Sequence, residues 1–132
     1  MRQLRSLEAW RMARKTAKTT YRVTLDPRLK SHYALVDQIR RAAISVPANI
    51  AEGYALGTTS QWVRLNRIAL GSAVELKTHL ELLRDLGLVD RAELDPVVAD
   101  ATQVIALLVG LLRRLGAQTP GANASPSPPG SA

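Results

Sequence analysis

Cysteine and phenylalanine are absent from the chain, and aromatic residues make up only 4% of it. Without cysteine there are no disulfides, no thiolate metal ligands and no cysteine nucleophile, which fits a reducing compartment. The longest apolar run, residues 104–112, is broken by Gly110 and is too short to span a bilayer. Arg2 and Arg5 leave no room for the apolar core of a signal peptide. A cytoplasmic location away from membranes is therefore expected.

Acidic residues are scarce in the first part of the chain. Residues 1–30 hold nine Lys or Arg against only Glu8 and Asp26, whereas residues 31–132 hold nine basic and nine acidic residues. The net charge of +7 is therefore local. A charge that served only solubility would be spread along the chain, so this segregation points to a partner of opposite sign.

Leu, Ala, Val and Ile are abundant, and they recur at helical spacing. Capping and stop residues divide the sequence into four predicted helices, which run from Ser6 to about Val23, from Ser31 to the glycines at 53 and 57, from Thr58 to about Asp85, and onward from either Asp90 or Asp95. Pro47 is expected to kink the second helix without dividing it. Short connections and the lack of a strand signal predict an all-α, antiparallel up-and-down four-helix bundle over residues 1–116.

Three further features bear on packing. Small residues around Gly71 predict a close helix approach there. The apolar band of the fourth helix is wider than a monomeric bundle needs, so part of it is expected to face another subunit. Residues 117–132 contain four prolines, no charge and no large apolar residue, and they are predicted to form a disordered tail.

A polar stripe runs along the second helix between residues 38 and 53, beside an apolar one. Its members are short and mixed, which favours a partly buried hydrogen-bonded network over a solvated face. The predicted network links the second and third helices, with an ion pair between Arg41 and Glu75 and bonds from Asn49 and Ser72 near Pro47; its members are Arg41, Asn49, Glu52, Ser72 and Glu75. Removing Glu75 is accordingly expected to destabilise the protein.

No catalytic residue is assigned. Ser45 and Ser72 have no histidine partner in the sequence pattern, so neither is a candidate nucleophile. His32 and His79 stand alone, without cysteines or clustered carboxylates, and do not make a metal site. We expect neither a cofactor nor an enzymatic activity.

The first helix carries a stripe of basic residues, and no Asp or Glu occurs between its first and last members; the stripe consists of Arg11, Arg14, Lys15, Lys18 and Arg22. A solvated helix normally mixes both signs of charge for side-chain pairing. The stripe therefore predicts binding of a nucleic acid, either RNA or DNA. Few aromatics are available for stacking on bases, so the expected contact is with the backbone, with little sequence preference.

Residues 40–53 read RRAAISVPANIAEG, and together with LEAW at 7–10 and ALGS at 69–72 they carry a resemblance to a known family. The sequence resembles the four-helix-bundle proteins encoded in intervening sequences of bacterial large-subunit ribosomal RNA genes, a family similar to the accessory variability proteins of diversity-generating retroelements. The resemblance implies a ring-like homopentamer. In the retroelement relatives, a basic surface contacts nucleic acid and a reverse transcriptase.

Two functions are thus open from the sequence. The first is a non-enzymatic, homo-oligomeric bundle that binds RNA or DNA backbone through its first helix, as an accessory to a nucleic-acid enzyme. The second is a protein-interaction scaffold whose basic face meets an acidic protein.

Overall fold

A computed structural model describes residues 2–118, with side chains from residue 4 to residue 114. It contains four long helices and one 3-10 turn at Pro27–Leu29; the helices are α1 (Arg2–Val23), α2 (Tyr33–Leu56), α3 (Thr59–Asp85) and α4 (Arg91–Gln118). Each helix packs against the next, and α4 packs back against α1. The predicted antiparallel up-and-down four-helix bundle is confirmed. Of the predicted disordered tail, Ala117 and Gln118 belong to α4, and residues 119–132 lie outside the described part of the chain.

The starts of the first two helices differ from the sequence prediction. α1 begins at Arg2, so Ser6 lies inside the helix, where it is buried, and does not cap it. The residue that precedes α2 is His32 and not Ser31, and its side chain makes no capping hydrogen bond.

The starts of the last two helices follow the sequence closely. Thr58 caps α3 as predicted, because its hydroxyl accepts a hydrogen bond from the backbone N–H of Gln61 at 3.3 Å. Of the two alternatives for α4, the structure selects Asp90, whose carbonyl oxygen accepts hydrogen bonds from the N–H groups of Glu93 and Leu94. Pro96 is thereby placed inside the first two turns.

Pro47 lies inside α2, which continues without interruption to Leu56, as the sequence predicted. The helix ends at Gly57, whose φ of 78° is a left-handed conformation that glycine adopts without the strain of a side chain. Gly53 was expected to share that role, but it lies within the helix and is buried. The helix stop predicted at Gly87 is confirmed by its φ of 67°.

α2 and α3 approach each other closely at Gly53, where a Cβ atom would lie 3.3 Å from both Leu65 Cβ and Asn66 Nδ2. In the stretch of small residues predicted to allow a close approach, Ala69 and Ala73 are buried in the core. Gly71 itself is exposed, with nothing within 4 Å of the position of a Cβ atom, so it takes no part in that packing.

The apolar face of α4 lies in the core. Its large apolar residues are buried or pack against buried neighbours as far as Leu112, and the exposed large apolar side chains of the described chain belong to α1, α2, α3 and two connections. The subunit contact expected through α4 stays a prediction, and Ile105, Leu107 and Val109 are only partly buried. By length and composition alone α4 is apolar enough to cross a membrane between Arg91 and Arg114, but Leu94, Val104 and Leu108 are buried in the bundle.

One arginine ties two connections together at the end of the bundle where α1 ends. Arg28 donates hydrogen bonds to Asp26 at 2.8 Å and to Asp90 at 3.2 Å. The side-chain bond from Arg28 holds the pKa of Asp26 below its usual value, and the same bond raises the pKa of Arg28. The α1–α2 connection is thereby joined to the α3–α4 connection.

Candidate nucleic-acid interface

The outer surface of α1 is built by the helical period. Ala9, Ala13, Thr16 and Thr20 turn into the bundle at steps of three or four residues. The opposite side is exposed and carries all five residues of the predicted stripe; these residues, Arg11, Arg14, Lys15, Lys18 and Arg22, are called the basic face here. The structure thus brings the predicted cations together on one accessible surface.

Carboxylates contribute little to the basic face. Its one ion pair within the described residues joins Lys15 Nζ to Asp100 Oδ2 on α4, at a long 3.7 Å. The Arg14 guanidinium lies over the ring of Trp10, 4.6 Å from the ring centroid. Arg11, Lys18 and Arg22 have no side-chain partner in the described part of the chain.

Basic residues on α2 and α3 contrast with this arrangement, because several of them are paired. Arg41 bonds Asp37 at 2.9 Å, Arg84 bonds Asp95 at 3.0 Å, and Lys77 lies 4.0 Å from Glu81. Carboxylates neutralise the charge of Arg41, Arg84 and Lys77, whereas the basic face keeps most of its positive potential.

Sequence reasoning missed a sixth cation beside the basic face. Arg40 reaches across from α2, and its guanidinium lies 4.2 Å from the centroid of the Tyr21 ring. Its Nε donates a hydrogen bond to Thr24 Oγ1 at 2.9 Å. The polar stripe of α2 includes Arg41 but not its neighbour Arg40. Arg40 is distinguished by its contact with α1, and no pattern within α2 predicts a contact between helices.

The topology also gathers cations that the sequence keeps apart. Arg64 and Arg67 lie near the start of α3, and Arg113 and Arg114 lie near the end of α4; all four are exposed. In an up-and-down bundle these two segments share one end with the start of α1. Both sequence halves therefore contribute positive charge there, although residues 31–132 are neutral overall.

The seam between α2 and α3 holds a small polar cluster. Ser72 Oγ donates to Ser45 Oγ at 2.9 Å, and Asn49 Nδ2 donates to the Ser45 carbonyl at 2.8 Å and to its hydroxyl at 2.9 Å. We call Ser45, Asn49 and Ser72 the seam cluster. These side chains satisfy one another across two helices, which suits a structural role in fixing helix register.

The rest of the predicted network does not join this cluster. Arg41 is 76% exposed and pairs with Asp37 on its own helix, so the predicted pair with Glu75 is not formed. Glu75 is 49% exposed and lies 3.2 Å from His79, one turn along α3. Glu52 is exposed and makes no side-chain contact of this kind within the described residues. The long charged side chains reach nearby partners or solvent before they can span the seam.

An apolar groove separates the first half of α1 from the last half of α2. Leu4, Leu7 and Trp10 form one wall, Ile50, Ala51 and Tyr54 form the other, and the groove encloses about 540 Å³. Ser6 borders the groove; it is 3% exposed, and its buried hydroxyl has no hydrogen-bond partner among the described residues. No spacing in the sequence indicates this groove, because its walls come from two helices.

The architecture and surface define a class, namely a small four-helix bundle with one helix carrying unpaired positive charge. The family model of the 23S rRNA-intervening sequence protein matches residues 5–110, and the chain belongs to this family. A comparison with curated protein sequences finds no match.

Among solved structures, the chain is similar to a protein with unknown function from the S23 ribosomal protein family of Bacteroides thetaiotaomicron. The two share 21% sequence identity and superpose with a TM-score of 0.74, over 85% of this chain and 97% of the other. At this identity the likeness supports the four-helix fold.

Proposed function

We propose that this protein binds the phosphate backbone of RNA or DNA through the basic face of α1, without catalysing a reaction. The observation that carries the proposal is the set of three cations, Arg11, Lys18 and Arg22, that form no ion pair in the described chain. Unpaired cations on one helix face are retained at a small cost in stability, and phosphates satisfy them. Membership in a family named for an intervening sequence of 23S rRNA is consistent with a nucleic-acid partner.

Arg40 extends the proposed surface toward α2, and Arg64, Arg67, Arg113 and Arg114 extend it around the end of the bundle. Each contact with a phosphate releases counterions, so affinity falls steeply with salt. For a single strand held at about five phosphates, affinity should fall roughly a hundredfold between 50 and 200 mM salt.

The test is a titration of a fluorescently labelled oligonucleotide, read by anisotropy, at several salt concentrations. The variant Arg11→Gln, Lys15→Gln, Lys18→Gln should lose most of its affinity and show a shallower salt dependence. A matched control, Arg41→Gln, Lys77→Gln, Arg91→Gln, removes the same charge from α2, α3 and α4. If both variants weaken binding equally, the proposal of a local interface is wrong.

We also propose that the chain is a homo-oligomer, and the family resemblance suggests a pentamer. Support comes from the outer surface of α3, where Ile68, Val74 and Leu82 are exposed. These apolar side chains lie on the outward half of α3 and are available for a subunit contact. The native mass should fall to that of a monomer in Ile68→Glu, Val74→Glu, and a monomeric native protein would contradict the proposal.

The basic face also supports a second candidate, a scaffold that binds an acidic protein through these cations. Reverse transcriptase is the partner class suggested by the retroelement relatives. The two candidates separate in a pull-down treated with nuclease, because only a nucleic-acid-mediated partner is released by that treatment.

A further inference from the structure

The apolar groove between α1 and α2 has the size and lining of a small-ligand site. Its volume of about 540 Å³ falls within the range of such sites. Two aromatic side chains, Trp10 and Tyr54, belong to opposite walls, and aliphatic Leu4, Leu7 and Ile50 complete them. A flat aromatic group fits between such walls.

Ser6 lies behind the lining of the groove. The residue borders the groove, but its hydroxyl oxygen is closed off from solvent. The surface that a ligand in the groove would meet is therefore aromatic and aliphatic.

Arg14 joins the groove to the basic face. Its guanidinium rests on the ring of Trp10, which is a wall of the groove, while Arg14 itself is one of the five cations of the basic face. Arg11 and Lys15 lie on the same exposed side of α1. A strand that follows these cations therefore passes the mouth of the groove.

We propose that the groove receives one unpaired nucleobase from a strand whose phosphates lie on the basic face. This inference rests on the proposed function. A nucleobase offers an aromatic face to Trp10 and Tyr54, and stacking on aromatic side chains tolerates any base. A base inside a duplex is paired and stacked, so the protein binds single strands in preference to duplexes. The sequence by itself predicts contact with the backbone only.

The inference is tested with three DNA ligands of equal length and label: a single strand, the same strand with its bases replaced by abasic sites, and the duplex. The abasic strand keeps every phosphate and loses only stacking. The full-length protein should bind the base-bearing strand about fivefold or more tightly than the abasic one at equal salt.

Two variants assign that difference to the groove. Trp10→Leu removes the stacking wall, and Ala51→Leu fills the groove from an exposed position that folding does not depend on. Each should reduce affinity for the base-bearing strand to the level of the abasic strand and leave abasic affinity unchanged. Tyr33→Leu is the control, because Tyr33 is exposed and lies outside the groove.

The outcomes separate the inference from the function on which it rests. Equal affinity for the base-bearing and abasic strands overturns the nucleobase site and leaves backbone binding intact. If none of the three DNA ligands binds, and the same single strand made of RNA does not bind either, the proposed function is wrong. If Ala51→Leu lowers the native mass and leaves the base dependence unchanged, the groove is a contact between subunits, and the inference is wrong.

Discussion

The basic face of α1 and the seam cluster of α2 and α3 both follow the helical period, yet they use polar side chains in opposite ways. In the seam cluster, Ser45 accepts from Ser72 and Asn49, so short groups satisfy one another between the helices. On the basic face, long cations point outward and meet one distant carboxylate. Groups that satisfy each other stabilise the fold, whereas like charges at helical spacing destabilise it slightly.

The largest expected effect on the free energy of unfolding is at Gly53, where α2 and α3 approach each other closely. Gly53→Leu should lower the free energy of unfolding by about 2 kcal/mol, because a side chain there meets Leu65 and Asn66. Its matched control, Gly71→Ala, should raise the free energy of unfolding by up to about 1 kcal/mol, since Gly71 is an exposed helix residue with open space around it. Urea denaturation measures both, and two variants of equal stability would show that the approach at Gly53 does not constrain the seam.

The seam cluster itself is tested by Ser45→Ala. This change removes the hydroxyl that bonds both Ser72 and Asn49, and it should cost about 1–2 kcal/mol because the partners are partly buried. Ser60→Ala at the exposed start of α3 serves as the control in the same denaturation experiment. Equal stabilities would place the cluster outside the interactions that hold the bundle together.

On the basic face, removing a positive charge should raise the free energy of unfolding, whereas the changes at the seam between α2 and α3 lower it. Lys18 lies four residues from both Arg14 and Arg22, and like charges at this spacing repel. Lys18→Gln should therefore raise the free energy of unfolding by about 0.5 kcal/mol while it weakens oligonucleotide binding. Lys77→Gln is the control: it loses the pair with Glu81 and should not raise the free energy of unfolding. A Lys18 variant that melts earlier than the native protein would show that the face contributes to stability.

The smallest effect is expected at Glu75. The sequence predicted that Glu75→Ala destabilises the protein, but the side chain is half exposed and pairs with His79 on its own helix. The change should stay within about 0.5 kcal/mol of the native stability in thermal melting. A loss several times larger would restore Glu75 to the interhelical network.

Much of the fold follows from local sequence signals. The Thr58 cap, the stop at Gly87 and the passage of α2 through Pro47 each depend on residues close in sequence, and each was predictable. The register between helices was not, because it depends on which side chains meet across a seam. Thus the close contact of Gly53 with α3 was not predicted, and Ser45 and not Arg41 bonds across to α3.

The candidate site divides in the same way. The five cations of the basic face were predictable because they share one helix and one period. Arg40 over Tyr21, and the groove walls at Trp10 and Tyr54, are products of packing between α1 and α2, which no spacing within either helix records.

The placement of the two tryptophans gives the protein its own optical reporters. Trp62 is 1% exposed in the centre of the core, whereas Trp10 is only partly buried, in a wall of the groove. An aqueous quencher such as iodide therefore reaches the indole of Trp10 and is shielded from that of Trp62. Changes in quenchable emission report on occupancy of the groove, and the unquenched remainder reports on the integrity of the bundle, so a single native sample distinguishes ligand binding from unfolding.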